Sequence, residues 1–422
     1  MKKIYFSLIT IAILLFTACN NDVPGNGEAV ETGTLTATIS FETKQVTPDA
    51  QANLRAGEST AIPVVSWNNV KQVQLFLYDA GGTIKFSRIL KPADATNPES
   101  NNARNFIIPN VPLGNYKLAL LANASMAGDN VTTSLDKGVT WGVEFNGLNV
   151  IGQKIDDILV GVKPKALPTI PVIEGAENQQ AGWGTRKGFD KPSELFTAFV
   201  ASVDVVENQT KQVEVPALKR EISMMRTRFD FTTVEVPEEA AQREYVKFDT
   251  QYSFIVVQTL PDYFSLDSGV SETVNDDNVF VGATGTGTYK DADPTEGYSP
   301  TVIKTGLYTH WNDFHVLPNV KGRGTAVNGQ YFIIIGAWID LPEGKSYKDR
   351  EGKITTTSQP VYWWAPVNEP FTRNVIREVN LTLKTPGYLE FPDKPTGQGS
   401  LEIIIGAPEP WNSTIVSTNM DI

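Results

Sequence analysis

The chain of 422 residues contains a single cysteine, Cys19, and its position dictates what must hold the fold together. Lys2 and Lys3 precede an apolar run of about fifteen residues from Ile4, and Phe16, Thr17 and Ala18 lead directly into Cys19. The basic pair, a run too short for a comfortable membrane span and two small residues before a thiol read as a lipoprotein signal peptide over 1–18. Lipid on Cys19 then occupies the only thiol. Disulfides, thiol catalysis and a cysteine-based zinc site are excluded, and the exported chain must be stabilised by ordinary apolar cores. A mature chain of about 400 residues is long enough for two of them. The formal charge of −12, taken to −14 when Lys2 and Lys3 leave with the leader, argues against nucleic acid as a partner.

Residues 19–32 are polar and rich in Gly and Asn, the composition of a tether. Beyond them Leu35, Ala37, Ile39 and Phe41 alternate with Thr34, Thr36, Thr38, Ser40 and Glu42, which predicts a strand with one apolar face. The stretch from Thr47 to Thr60, with Pro, Gly and small polar residues around Arg55, reads as a protease-accessible loop. Strands are then predicted over 70–78, 105–109, 111–123, 246–260, 307–317, 330–341, 361–364, 375–384 and 401–405, punctuated by Pro and Gly turns. A short helix is expected over 191–205 and a long surface loop or hairpin over 262–300. The expected fold is mainly β, as two consecutive β-sandwiches, with residues 33–236 in the first and 237–422 in the second.

Catalytic chemistry finds little footing. His310 and His315 are five residues apart, which places them on opposite faces of a strand, so a metal site from both plus Asp313 is the weaker reading beside ordinary strand residues. Gly282–Gly287 lacks the Lys-Ser/Thr of a phosphate loop and reads as a turn. Asp291, Asp293 and Glu296 have the spacing of an incomplete calcium loop. No GxSxG elbow is present, so neither enzyme activity nor a cofactor is expected. Trp338, Trp363, Trp364 and Trp411 are candidates for a sugar-stacking platform, with core packing as the commoner role of strand aromatics.

Several segments in order resemble the fimbrillin family of Bacteroidales, the lipoprotein-derived subunits of type V pili. They are the lipobox at Cys19, the 35–41 strand, NLRAG at 53–57, VQLFLYDAGG at 73–82, GNYKLALLAN at 114–123, LKREIS at 218–223 and TRNVIREVNLTL at 372–383. The resemblance implies two transthyretin-like β-sandwiches, export as an outer-membrane lipoprotein, and cutting by an arginine-specific surface protease between Arg55 and Ala56. Loss of the first strand, with Leu35, Ala37, Ile39 and Phe41, would open a groove for a strand from another copy or a paralogous pilus subunit. The tail, with Val416, Met420 and Ile422 alternating, is the expected donor; its alternative is a strand completing its own domain. The leading expectation is therefore a cell-surface pilus subunit supporting adhesion. A surface glycan-binding lipoprotein of a carbohydrate-uptake system is the alternative, sharing leader, acidity, sandwiches and tryptophans.

Overall fold

The computed structural model describes residues 31–42, 67, 70, 72–100, 103–122, 131–134, 140–141, 150–162, 164–169, 183–189, 192, 195–230, 242–248, 252–261, 263–266, 274–283, 285–286, 310–321, 325–326, 331–367, 369, 371–383, 385–392, 402–405 and 409–410. Cys19, Arg55, Ala56, residues 291–296, Trp411, Val416, Met420 and Ile422 lie outside these.

The period-two patterns form the strands they predict. The first strand, β1 (Thr32–Ser40), is followed by β2 (Val73–Tyr78), β3 (Ile84–Leu90), β4 (Ala103–Pro112) and β5 (Gly114–Ala122). After a long excursion come β6 (Phe196–Val205), β7 (Thr210–Glu214) and β8 (Lys219–Arg220). They make two facing sheets, one ordered β7-β1-β4 and the other β8-β6-β5-β2-β3. Leu35, Ile39, Phe106, Ile108, Leu75, Leu77, Leu118, Leu120 and Phe196 fill the space between them. The result is a β-sandwich with β1 in the middle of its smaller sheet.

All six residues of β2 are buried, because the five-stranded sheet is covered on both faces. Its rear face, with Phe76, Tyr78, Ala119 and Leu121, joins a second core. That core lies between two six-stranded sheets built largely from β9 (Ser223–Asp230), β10 (Phe254–Pro261), β11 (Val274–Ala283), β12 (His310–Val316), β13 (Tyr331–Ile339), β14 (Gln359–Val367), β15 (Val375–Thr382) and β16 (Glu402–Ile405). One sheet centres on β12-β9-β15-β16, the other on β14-β13-β10-β11. The chain is thus mainly β, as two β-sandwiches in sequence, and Thr32–Ile422 forms one compact unit. Tyr331 is fully buried in the second core and donates to the Leu317 carbonyl at 2.5 Å; burial pushes its phenol pKa far above the ordinary range.

Three expectations are corrected. The 191–205 segment is the strand β6, not a helix. Phe196 and Ala198 face the first core, then the register shifts between Val200 and Val203 so that Val203 and Val205 face it too. That irregularity adds a residue to the apolar spacing and imitates a helical period. The 262–300 stretch, expected as a surface loop or hairpin, has the hairpin pairing, since β11 pairs antiparallel with β10, but not the surface placement, because Val279 and Phe280 are buried. Its polar start, Asn275 to Asp277, hides a strand whose apolar content is confined to its second half. The glycine run is likewise not simply a turn: Gly282 and Ala283 form the end of β11, opposite Ile255 and Phe254, and Gly285–Thr286 pairs with β12.

Candidate functional site: the slot occupied by the first strand

The first strand has neighbours on both edges. It runs parallel to β7, with Leu35 opposite Lys211 and Ala37 opposite Val213, and antiparallel to β4, with Leu35 opposite Ile108, Ala37 opposite Phe106 and Ile39 opposite Arg104. Within this sheet β4 and β7 are connected only through β1. Taking it out would leave two strand edges with unpaired amides and carbonyls facing a slot one strand wide.

The alternation in β1 puts every second side chain into the core. Leu35 and Ile39 have no exposed surface, Ala37 is 3% exposed and Phe41, just past the strand, 5%. At about 25 cal/mol per Å², three large side chains buried this completely contribute roughly 6 kcal/mol, comparable with the net stability of a domain. The opposite face carries Thr34, Thr36, Thr38 and Ser40, where the Thr38 hydroxyl donates to Asn105 Oδ1 at 2.8 Å. Gly33 lets the strand enter between neighbours, since a Cβ there would lie 2.7 Å from the Val206 carbonyl oxygen and 2.8 Å from Val205 Cγ1.

Each inward side chain has its own surroundings. Phe41 sits edge-on to Trp67 and to Phe196, ring centroids 5.1 Å away and planes at 70° in both cases. Two arginines close this aromatic box from outside: the Arg104 guanidinium lies 5.2 Å from the Trp67 ring centre and that of Arg220 lies 5.2 Å from the Phe196 ring centre. Arg104 also donates through Nε to the Ser100 carbonyl at 3.0 Å. Backbone bonds fasten the same end, from Leu218 N to the Ser40 carbonyl (2.8 Å) and from Glu42 N to the Leu218 carbonyl (3.0 Å). At the other end Thr34 N donates to the Gln209 carbonyl at 3.0 Å.

Beyond the aromatic box the first sandwich is tied to the second. Glu221, 3% exposed, accepts from Arg373 Nη1 at 3.0 and 3.2 Å and from the Thr197 hydroxyl. Arg220 Nη1 donates to Asn374 Oδ1 at 3.3 Å, and Asn374 N donates to the Ile222 carbonyl at 2.9 Å. Here the LKREIS and TRNVIR segments meet.

The structure therefore brings Leu35, Ala37, Ile39 and Phe41 together in one slot. Sequence reasoning missed its walls. Arg104, Phe106 and Ile108 alternate along β4 and were legible as one face, but β7 has only Val213 as an apolar residue and pairs with β1 across about 175 positions, so no local signal marks it.

The histidine and tryptophan candidates within the described residues form no such site. His310 and His315 lie on β12, an odd number of residues apart, and His315 Nδ1 sits 3.1 Å from the Pro192 carbonyl oxygen. Among the described residues no group of three or more His, Cys, Asp or Glu could hold a metal ion. Of the described tryptophan candidates, Trp363 faces the opposite side of β14 from Trp364, so Trp338, Trp363 and Trp364 do not share one face. Trp363 is buried in the second core and donates to the Thr385 carbonyl at 2.9 Å, whereas Trp338 and Trp364 are half-buried and packed on Tyr252 and Tyr388, ring centroids 4.8 and 4.1 Å apart.

No family model matches the sequence, and no curated protein does. Among solved structures, the chain is similar to a Bacteroides eggerthii protein provisionally assigned to cell adhesion, at 13% identity and a TM-score of 0.46, over 92% of this chain and 98% of that one. It is similar to a fimbrilin from Porphyromonas gingivalis, at 14% identity and a TM-score of 0.42, over 92% and 100%. A third is the fimbrial anchor protein Mfa2 of the same organism, at 9% identity and a TM-score of 0.39, over 88% and 97%.

Proposed function

We propose that this chain is a structural, non-enzymatic subunit of a cell-surface pilus that assembles by strand exchange and supports adhesion. The observation that carries the reading is the place of β1: the middle strand of a three-stranded sheet, with its inward side chains in the core and every other described strand of that sandwich following it in sequence. Such a strand can be cut from the chain on one side only and leave all other connections intact. In this reading lipid on Cys19 holds the precursor at the outer membrane while β1 fills the slot. An arginine-specific protease cuts after Arg55, and the segment up to Arg55 leaves with its lipid. A strand from another copy or a paralogous subunit then refills the slot, with backbone bonds to β4 and β7 supplying register and alternate side chains supplying fit. The interface is head-to-tail and does not close, so its product is a filament. The tail bearing Val416, Met420 and Ile422 is the donor.

The test is limited digestion of the full chain with an arginine-specific protease, followed by electrophoresis in mild denaturant. The expected result is a first cut after Arg55 and then ladders of linked subunits, with Arg55→Ala folded but unable to assemble. Ladders from Arg55→Ala at the normal rate would overturn the reading.

A further inference from the structure

We infer that the slot reads the size of its occupant, and that it selects one register and one direction for the tail of a second copy. This rests on the strand-exchange reading and adds what fixes the fit. The four inward positions of β1 are large, small, large and large: Leu35, Ala37, Ile39, Phe41. The small position is imposed by its neighbours. Ala37 lies directly across from Phe106, one of the largest fully buried side chains, and beside buried Val213. A bulky group there overpacks the core, and a small group in the Phe41 box leaves a cavity between Trp67 and Phe196.

Laying alternate residues of 411–422 onto these positions, in every register and both directions, gives one arrangement with apolar groups in the three large sites and a small one at Ala37. It places Val416 at Leu35, Thr418 at Ala37, Met420 at Ile39 and Ile422 at Phe41. Moving the tail by two residues in the same direction puts Val416 at the Ala37 site and Thr418 at the Ile39 site. Reversing it over the same four residues puts Met420 at the Ala37 site. The even positions also keep Asn419 and Asp421 out of the core, on the face that carries Thr36 and Thr38. The donor therefore runs as β1 does, parallel to β7 and antiparallel to β4.

The outward residues report the register. Thr36 stands opposite Ile107 and Thr38 opposite Asn105, so the inferred fit sets Ser417 opposite Ile107 and Asn419 opposite Asn105 of the neighbouring copy. Directly opposed residues lie about 4.5–5.5 Å apart, within disulfide reach, and a two-residue slip, nearly 7 Å along the strand, takes the pair to about 8 Å, beyond it. Because Cys19 leaves with the cut segment, engineered pairs are the only thiols in the assembled chain.

The experiment makes Ser417→Cys with Ile107→Cys and, separately, Ser417→Cys with Asn105→Cys in the full chain; a two-residue slip would move Ser417 opposite Asn105, and reversal would move it opposite Ala103. Each is digested with an arginine-specific protease and oxidised during assembly. The inference predicts disulfide ladders from the first pair and at least tenfold fewer from the second. Ladders mainly from the second pair, with normal filaments, overturn the register and leave strand exchange standing. Absence of any assembly after the cut overturns both. As an independent readout, Thr418→Leu should slow assembly at least tenfold and Ile422→Phe should slow dissociation; unchanged rates in both count against size selection.

Discussion

Phe41 is the inward residue whose removal tests the slot most sharply. Replacing it with Ala deletes a ring that is almost wholly buried and packed edge-on between Trp67 and Phe196. Buried Phe→Ala changes cost about 3–5 kcal/mol, and two aromatic contacts of roughly 1 kcal/mol each put this site near 4 kcal/mol. The loss falls on the sheet that Phe41 helps close, where Glu42 N and Leu218 N form the last two backbone bonds. Hydrogen exchange of the uncleaved chain, read by mass spectrometry on peptides covering β1 and β4, converts that figure into a rate. At 1.4 kcal/mol per tenfold, these amides should exchange almost a thousandfold faster in Phe41→Ala, whereas peptides from β13 and β14 should change far less. Thr38→Ala, on the outer face of the same strand, should stay within about 0.5 kcal/mol of the unaltered protein. Exchange in β1 accelerated less than tenfold by Phe41→Ala would refute the claim that the aromatic box anchors the strand.

Other consequences follow from the same packing. Glu221→Ala leaves the Arg373 guanidinium and the Thr197 hydroxyl without their carboxylate and should destabilise the chain by about 3 kcal/mol, seen as a lower midpoint in urea. Tyr331 has a folded-state pKa raised far above its unfolded value near 10, so its contribution is fully present below pH 10 and is lost as pH rises beyond it. Tyr331→Phe should therefore flatten the fall in stability above pH 10 while costing about 1 kcal/mol at pH 7 through the lost bond to Leu317. Gly33→Val should block proper seating of β1, because its Cβ would overlap the Val206 carbonyl; faster release of the segment after cleavage is the expected readout.

How much of this was legible in the sequence depended on whether a strand's pattern was local. In β1 the alternation of Leu35, Ala37, Ile39 and Phe41 with threonines is unbroken, and the structure reproduces it residue for residue. The fully apolar run of β2 and the run in β13 were equally plain, since both are strands covered on two faces. Where a bulge intervened, as between Val200 and Val203 of β6, the period failed and a helix was read instead. Where partners lie far away, as with β7 beside β1, a polar sequence gave no hint that it borders the site. The arginines of the aromatic box belong to this second kind. Arg104 and Arg220 look like ordinary surface charges until the fold stacks them on Trp67 and Phe196.

The central claim is that β1 is a provisional occupant of its slot. Its most direct test is the N-terminal residue of the subunit recovered from cell-surface filaments. A chain beginning at Ala56, free of β1 and of any cysteine, is the predicted result. Filaments whose subunits still begin at a lipid-bearing Cys19, with β1 protected from exchange in its place, would contradict it.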